Sequence, residues 1–212
     1  MRSTVAFALA GVLAASCAAF AAPAEARTQL TMTVLNSLPV APEHTSGYER
    51  SMFRHWTSEQ GCTTRQLVLI RQRTAGTIDG CTVVEGQWFS HYDAVVSFSA
   101  RALDIDHQVP LKEAWDSGAW RWTSEEREGF ANDLGYANSL NAVSASSNRS
   151  KGEKDPAEWM PPRSGDHCRY AKAWIGVKFR WRLAIDSQEK IALRGVLATC
   201  PARMELPPLA AA

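Results

Sequence analysis

This sequence predicts an α+β domain, on three observations. Short β-branched or apolar runs bounded by turn residues cluster between Leu67 and Val109. Beyond Pro110 the apolar residues mostly recur at helical spacing instead. Four cysteines, Cys62, Cys81, Cys168 and Cys200, follow an N-terminal apolar segment that itself holds Cys17, and an even set in an exported chain reads as disulfides.

The chain begins Met1-Arg2, continues apolar from Val5 to Ala22, and reaches Ala24-Glu25-Ala26 before Arg27. A positive start, a short apolar core and an Ala-x-Ala site describe a secretory signal peptide, residues 1–26, cut after Ala26. A membrane anchor fits this moderately hydrophobic, Ala-rich stretch less well. Ala14 is a poor match for a lipoprotein site at Cys17. The expected product is periplasmic or extracellular, monomeric, and free of the membrane.

Formal charge is +1, and removing Arg2 and Glu25 together leaves it there. Near-neutrality excludes bulk attraction to polyanions, so nucleic-acid affinity has to come from a local basic patch. The length fits one domain, taken as residues 44–202, between a flexible leader (27–43) containing Pro39 and Pro42 and a disordered tail (203–212).

Within that domain, Tyr48, Met52, Phe53 and Trp56 space as a short helix. Leu67–Ile70, Cys81–Val84 and Val95–Phe98 read as strands, with Thr74–Thr77 and Asp79-Gly80 as turns. Ala102–Val109 is a further strand-like run. Helical pattern then begins after Pro110. Thr123 with Glu126 forms a capping box opening a helix to about Asp133. Ser139–Val143 reads as a strand, and Ser144–Gly152 as a polar loop or helix start. Arg169–Leu183 carries Tyr170, Trp174, Val177 and Trp181 on one stripe, and Asp186 with Glu189 caps a last helix, Ser187–Thr199. Cysteine pairing Cys62–Cys81 and Cys168–Cys200 would close one local unit early and one late. A four-cysteine zinc site competes, but no Cys-x-x-Cys spacing supports it.

Chemistry concentrates in Asp104-Ile105-Asp106-His107-Gln108-Val109-Pro110-Leu111 and in Asn148-Arg149-Ser150-Lys151-Gly152. An Asp followed directly by a His at a strand end offers a metal ligand and a general base from adjacent positions. A later Asn can add a second oxygen ligand, a set suited to metal-assisted phosphodiester hydrolysis. An imidazole titrates near neutrality, and hard oxygen donors suit a divalent cation.

These residues, with Asn138-Ser139-Leu140, resemble the HNH class of His-Me-finger (ββα-metal) endonucleases, and in particular the bacterial secreted HNH endonuclease family proteins. Gly47-Tyr48-Glu49-Arg50, His55-Trp56, Cys62–Arg65, Phe130-Ala131-Asn132-Asp133 and Glu158–Pro162 carry the likeness along most of the chain, from about Tyr48 to Cys200. The resemblance implies a ββα core with a helical insertion at residues 111–135. In it Asp106 and His107 end the first strand, residues 140–143 form the second, and Asn148 starts the helix. It implies His107 as general base, Asp106 and Asn148 as ligands of one divalent cation (Mg²⁺, with Mn²⁺ or Ca²⁺ as alternatives), and Asn138 orienting the His, with Asn141 as a rival. DNA, and RNA as a second substrate, would be cut with little sequence preference. A nucleic-acid-binding protein that keeps the fold without turnover is the alternative.

Other readings are set beside plainer ones. Lys151, Arg149 and Lys154 are expected to contact substrate phosphate, or else to form a solvated cluster. Glu113 is either a partner behind the metal ligands or a surface carboxylate. Lys178 and Arg182, one turn apart, either grip phosphates or face solvent. His55 and His167 read as structural or surface residues, and the tryptophans as core rather than base-stacking groups.

Overall fold

The computed structural model describes residues 27–59 and 61–211, so the expected signal peptide lies outside the described residues. The structure is α+β and carries both expected disulfides, Cys62–Cys81 and Cys168–Cys200, which removes the zinc alternative.

In chain order, β1 is Arg27–Leu30, α1 Thr31–Ser37, β2 Ser58–Glu59, β3 Cys62–Thr63, α2 Thr64–Gln72, β4 Arg73–Asp79, β5 Thr82–Phe89, β6 Val96–Ser97 and β7 Leu103–His107. Then come α3 Leu111–Asp116, α4 Ser124–Ala131, β8 Leu140–Ser144, α5 Ala145–Lys151, α6 His167–Arg180, α7 Ser187–Leu197 and β9 Arg203–Leu206.

Two cores hold these elements. The larger surrounds α6, whose Tyr170, Trp174, Ile175 and Val177 pack with Val34 and Leu35 of α1, Phe53, Phe130 of α4 and Leu193 of α7. The smaller lies between α2 and the strands, with Val68, Leu69, Trp88, Leu103, Ile105, Leu140 and Ala142. Leu103 and Ile105 alternate toward it, as side chains of a strand must, leaving Asp104 and Asp106 on the opposite face.

Several expectations are corrected. The leader and the tail are not unstructured: β1 and β9 pair antiparallel, Arg27 opposite Leu206, and α1 buries Val34 and Leu35. Each segment lacks a pattern alone because its partner lies at the other end of the chain. Residues 67–70 are not a strand but the centre of α2, which Thr63 and Gln66 open with a full capping box. The expected turn at Thr74–Thr77 lies inside β4, where two register shifts and Gly76 at φ +109° absorb the irregularity. The Tyr48–Trp56 helix reduces to one 3-10 turn, Arg50–Met52, because Trp56 takes φ +62°, which no right-handed helix accommodates.

The element that positions the site is a β7–β8 hairpin-like pair running directly into α5. Its antiparallel register sets Asp106 opposite Asn141 and His107 opposite Leu140. Among the described residues no helix is long and apolar enough to cross a membrane.

Candidate active site

His107 closes β7 and is 7% exposed. Its Nε2 lies 2.9 Å from the Ala131 carbonyl oxygen. A carbonyl only accepts, so Nε2 carries the proton and Nδ1 keeps its lone pair. Ala131 is the last residue of α4, and a helix's terminal carbonyls have no partner inside the helix. The imidazole takes up one of those orphan groups. Among the described residues Nδ1 has no hydrogen-bond partner, yet it is not sealed from solvent.

Aromatic rings hold the imidazole from the sides. Trp56 stacks on it with centroids 5.5 Å apart, Phe130 lies nearly parallel at 6.5 Å, and His55 meets it edge-on at 6.4 Å. Burial pushes the His107 pKa down to about 3; the positive charges of Arg50, His55 and Lys151 act in the same direction, against the Ala131 hydrogen bond. The ring is therefore neutral at physiological pH, the form that can accept a proton.

A cleft of roughly 200 Å³ opens here, lined among others by Tyr48, Arg50, Asp106, His107, Asn148 and Arg149. Arg50 and Arg149 are exposed cations on its rim. Asn148 sits in the body of α5, whose N-cap is Ser144, so it does not serve as the cap. Asp93 pins that first turn by accepting from the Ser144 and Ser147 hydroxyls. Asn148 Nδ2 donates to Asp104 Oδ2 at 3.2 Å, and Arg149 Nε lies 3.7 Å from the same oxygen.

Asp106 faces inward, 5% exposed. Lys151 Nζ meets its two oxygens at 2.7 and 2.8 Å, and the Tyr92 hydroxyl donates to Oδ2 at 2.6 Å. The third Lys151 proton goes to the His107 carbonyl at 2.7 Å. An ammonium has three donors, all spent here, and Lys151 is fully buried. The expected phosphate contact by Lys151 is thus corrected: this lysine is an internal brace. Burial lowers its pKa while Asp106 opposes the shift.

Of the expected ligands, Asp106 and Asn148 line the cleft, and the chemistry of these donors, a carboxylate and an amide oxygen, suits a hard divalent cation. Asn148 Oδ1 has no hydrogen-bond partner among the described residues, whereas both Asp106 oxygens are held by Lys151, so a cation bound there would have to share Asp106 with the ammonium.

Three further expectations are not met in place. Asn138 does not reach His107; its side chain lies against the Tyr136 hydroxyl. Its rival Asn141 stands in the sheet opposite Asp106 and donates to Gln108 Oε1 (3.2 Å) and the Asn138 carbonyl (3.1 Å), bracing the loop behind the imidazole. Glu113 is buried against Lys178 at 2.7 Å, away from the Asp106 contacts. Lys178 is fully buried between Glu113 and Glu189, because two carboxylates compensate its charge, so it presents nothing to a phosphate.

Sequence reasoning missed Tyr92, Trp56, His55 and Ala131 as parts of the site. The Phe130–Asp133 stretch was the available signal. Asn132 accepts from the Thr57 amide (3.1 Å) and the Thr64 hydroxyl (2.8 Å), holding the segment that carries Trp56. Asp133 takes a bidentate pair from Arg180 at 2.8 and 2.9 Å.

A β-pair running into a helix, with a neutral, fixed imidazole at its centre and cations on the rim, is accompanied by a sequence match. Residues 63–196 match the model of the C-terminal domain of GmrSD restriction endonucleases. This makes the chain a nuclease-family domain, and it belongs to that GmrSD C-terminal family. A relative from Arthroderma benhamiae, described as an uncharacterized secreted protein, is 41% identical over 180 residues, covering 84% of this chain and 87% of its own. No solved structure matches. Two disulfides agree with an oxidising compartment.

Proposed function

We propose that this protein is an exported, metal-dependent endonuclease of the HNH, His-Me-finger type, hydrolysing phosphodiester bonds of DNA, and of RNA, with low sequence preference. The observation that carries the reading is the His107 Nε2–H bond to Ala131, which leaves Nδ1 with its lone pair on a residue that lines the cleft.

In this reading, His107 Nδ1 takes a proton from water as the oxygen attacks phosphorus, and the bond from phosphorus to the leaving oxygen breaks. Ala131 keeps the ring in the required tautomer throughout, and Trp56 prevents its rotation. Arg50 and Arg149 draw the backbone phosphates to the cleft and offset charge developing on the non-bridging oxygens. A Mg²⁺-like ion, held by Asn148 Oδ1 and Asp106, supplies Lewis-acid stabilisation of the phosphate and of the leaving oxygen when bound. Proton return to the leaving oxygen comes from solvent or from the imidazolium, which burial makes a strong acid.

The test is degradation of supercoiled plasmid and of single-stranded RNA by the full secreted chain with Mg²⁺, Mn²⁺ or Ca²⁺, with and without EDTA. Cleavage that stops with EDTA and falls at least about 10²-fold in His107→Ala is expected. Intact nucleic acid under every metal condition would refute the enzyme, and an active His107→Ala would refute the base.

A further inference from the structure

We propose that Glu43, Glu113 and Asp116 form a second cation site, one that takes Ca²⁺, beside a second carboxylate triad in which Glu43 meets Asp155 and Asp186. Of these residues the sequence points only to Glu113, and only as a partner behind the metal ligands, and none is a ligand in the His107 cleft.

Ligand oxygens of Glu43, Glu113 and Asp116 lie within 4.8 Å of one another, as do those of Glu43, Asp155 and Asp186. The protein treats four of these carboxylates alike, fixing one oxygen and leaving the other. Glu113 Oε1 accepts from Lys178 and the Ser117 hydroxyl. Asp116 Oδ2 accepts from Lys112. Asp155 Oδ1 takes the Ala157 and Glu158 amides, and Asp186 Oδ1 those of Gln188 and Glu189. The second oxygen of Asp155 and of Asp186 has no hydrogen-bond partner among the described residues, and neither oxygen of Glu43 has one.

Asp116 gives the independent observation. It is 5% exposed, and its Oδ1 is buried with no partner among the described residues, although it belongs to the cluster. A buried carboxylate oxygen is stable only when hydrogen-bonded, ion-paired or metal-bound. Among the described residues Lys112 and Lys178 are the cations that contact the group, and Lys178 is shared with Glu189. Negative charge is therefore in excess. Burial first, then Glu113, Asp116, Asp186 and Asp155, hold the Glu43 carboxyl up at about 7.

The donor set selects the ion. Only carboxylate oxygens are offered, without the nitrogen or sulfur that zinc prefers. They come from four separate segments: the stretch after α1, α3, the loop after α5, and the α7 cap. Ca²⁺ tolerates such irregular sets, and its oxygen distance of about 2.4 Å spans ligands up to about 4.8 Å apart, whereas Mg²⁺ at about 2.1 Å demands a tighter octahedron. Backbone bonds already gather the strands of this knot: the His44 amide donates to the Asp116 carbonyl at 2.9 Å, and the Ala41 amide to the Ile185 carbonyl at 3.1 Å.

Thermal unfolding and calorimetric titration of the full secreted chain with CaCl₂, after EGTA treatment, test this directly. Ca²⁺ at a hundredfold excess over its Kd should raise Tm by about 5–10 °C. The rise should vanish in Glu43→Gln and Asp116→Asn and persist in His107→Ala. Glu43 is exposed, so its variant reports even if Asp116→Asn does not fold. No shift in wild type, or an undiminished shift in Glu43→Gln, overturns the site; an equal shift with Mg²⁺ overturns its assignment to Ca²⁺. Neither outcome reads nuclease activity, so failure here leaves the proposed function to its own test.

Discussion

Replacing Lys151 by Met separates a structural lysine from a substrate-binding one. The side chain is fully buried, and its ammonium makes three bonds of 2.7–2.8 Å, two to Asp106 and one to the His107 carbonyl. Methionine fills nearly the same volume, so no large cavity adds to the effect. What is lost is compensation: Asp106, 5% exposed, keeps only the Tyr92 hydroxyl. Breaking a buried pair by removing one partner costs about 3–5 kcal/mol. At about 2–4 °C per kcal/mol for a domain of this size, Tm should fall by about 6–20 °C. Urea denaturation should show the same loss at unchanged m-value, and Lys151→Met combined with Asp106→Leu should recover part of it. Where the folded variant retains activity, the salt dependence of DNA binding should keep its slope, since a phosphate-contacting lysine contributes about one unit to it. A variant within about 1 kcal/mol of wild type whose salt slope drops by one would refute the buried brace and restore the phosphate contact.

The other expected outcomes follow from the same geometry. His107 is held neutral in the fold, so the unfolded chain binds its proton first; stability from this group is present above pH 6.5 and is lost toward pH 3, at about 1.4 kcal/mol per pH unit, and His107→Gln should flatten that part of a pH–stability curve. Removing the Cys168–Cys200 bridge, which spans 32 residues, should cost about 3–4 kcal/mol by the loop-entropy argument, read as a fall in urea midpoint for the paired Cys→Ala variant. Asn132→Ala releases the segment bearing Trp56 and should lower kcat more than it raises KM; the reverse pattern would show that the segment binds substrate rather than steadying the imidazole.

Legibility in the sequence followed the range of the interaction. The capping boxes at Thr123–Glu126 and Asp186–Glu189 are local and were readable, and the helices they open begin where expected. The same signature stands at Thr63–Gln66, directly before the apolar run Leu67–Ile70, whose residues suit either period; packing of Val68 and Leu69 onto the β7–β8 pair decides for the helix. Both disulfides could be inferred because each closes a short loop. The β1–β9 pairing could not, since neither strand carries a pattern independent of its distant partner. In the site, sequence brought His107, Asn148 and Arg149 to one cleft, as their motifs suggested. It could not show that Lys151, three residues and about one helical turn beyond Asn148, turns inward onto Asp106, because that direction is set by how α5 packs against β7. Nor could it show Tyr92 on Asp106, which depends on an unpatterned loop.

The stretch between the two site strands has more than an ornamental part in this arrangement. Residues 111–135 read in sequence as an insertion added to a minimal core, yet its closing residues divide their polar groups among three parts of the molecule. Ala131 fixes the tautomer of His107, Asn132 holds the segment carrying Trp56, and Asp133 fastens α6 through Arg180 and Trp181. A helix end supplies carbonyls that need partners, and a neutral imidazole needs one acceptor for its N–H. Setting the end of α4 against His107 satisfies both needs at once. Lengthening α4 by one turn would pair the Ala131 carbonyl within the helix, leave Nε2–H unpartnered, and free the ring to adopt the other tautomer. The length of α4, rather than any residue inside the cleft, is then what fixes which imidazole nitrogen carries the proton.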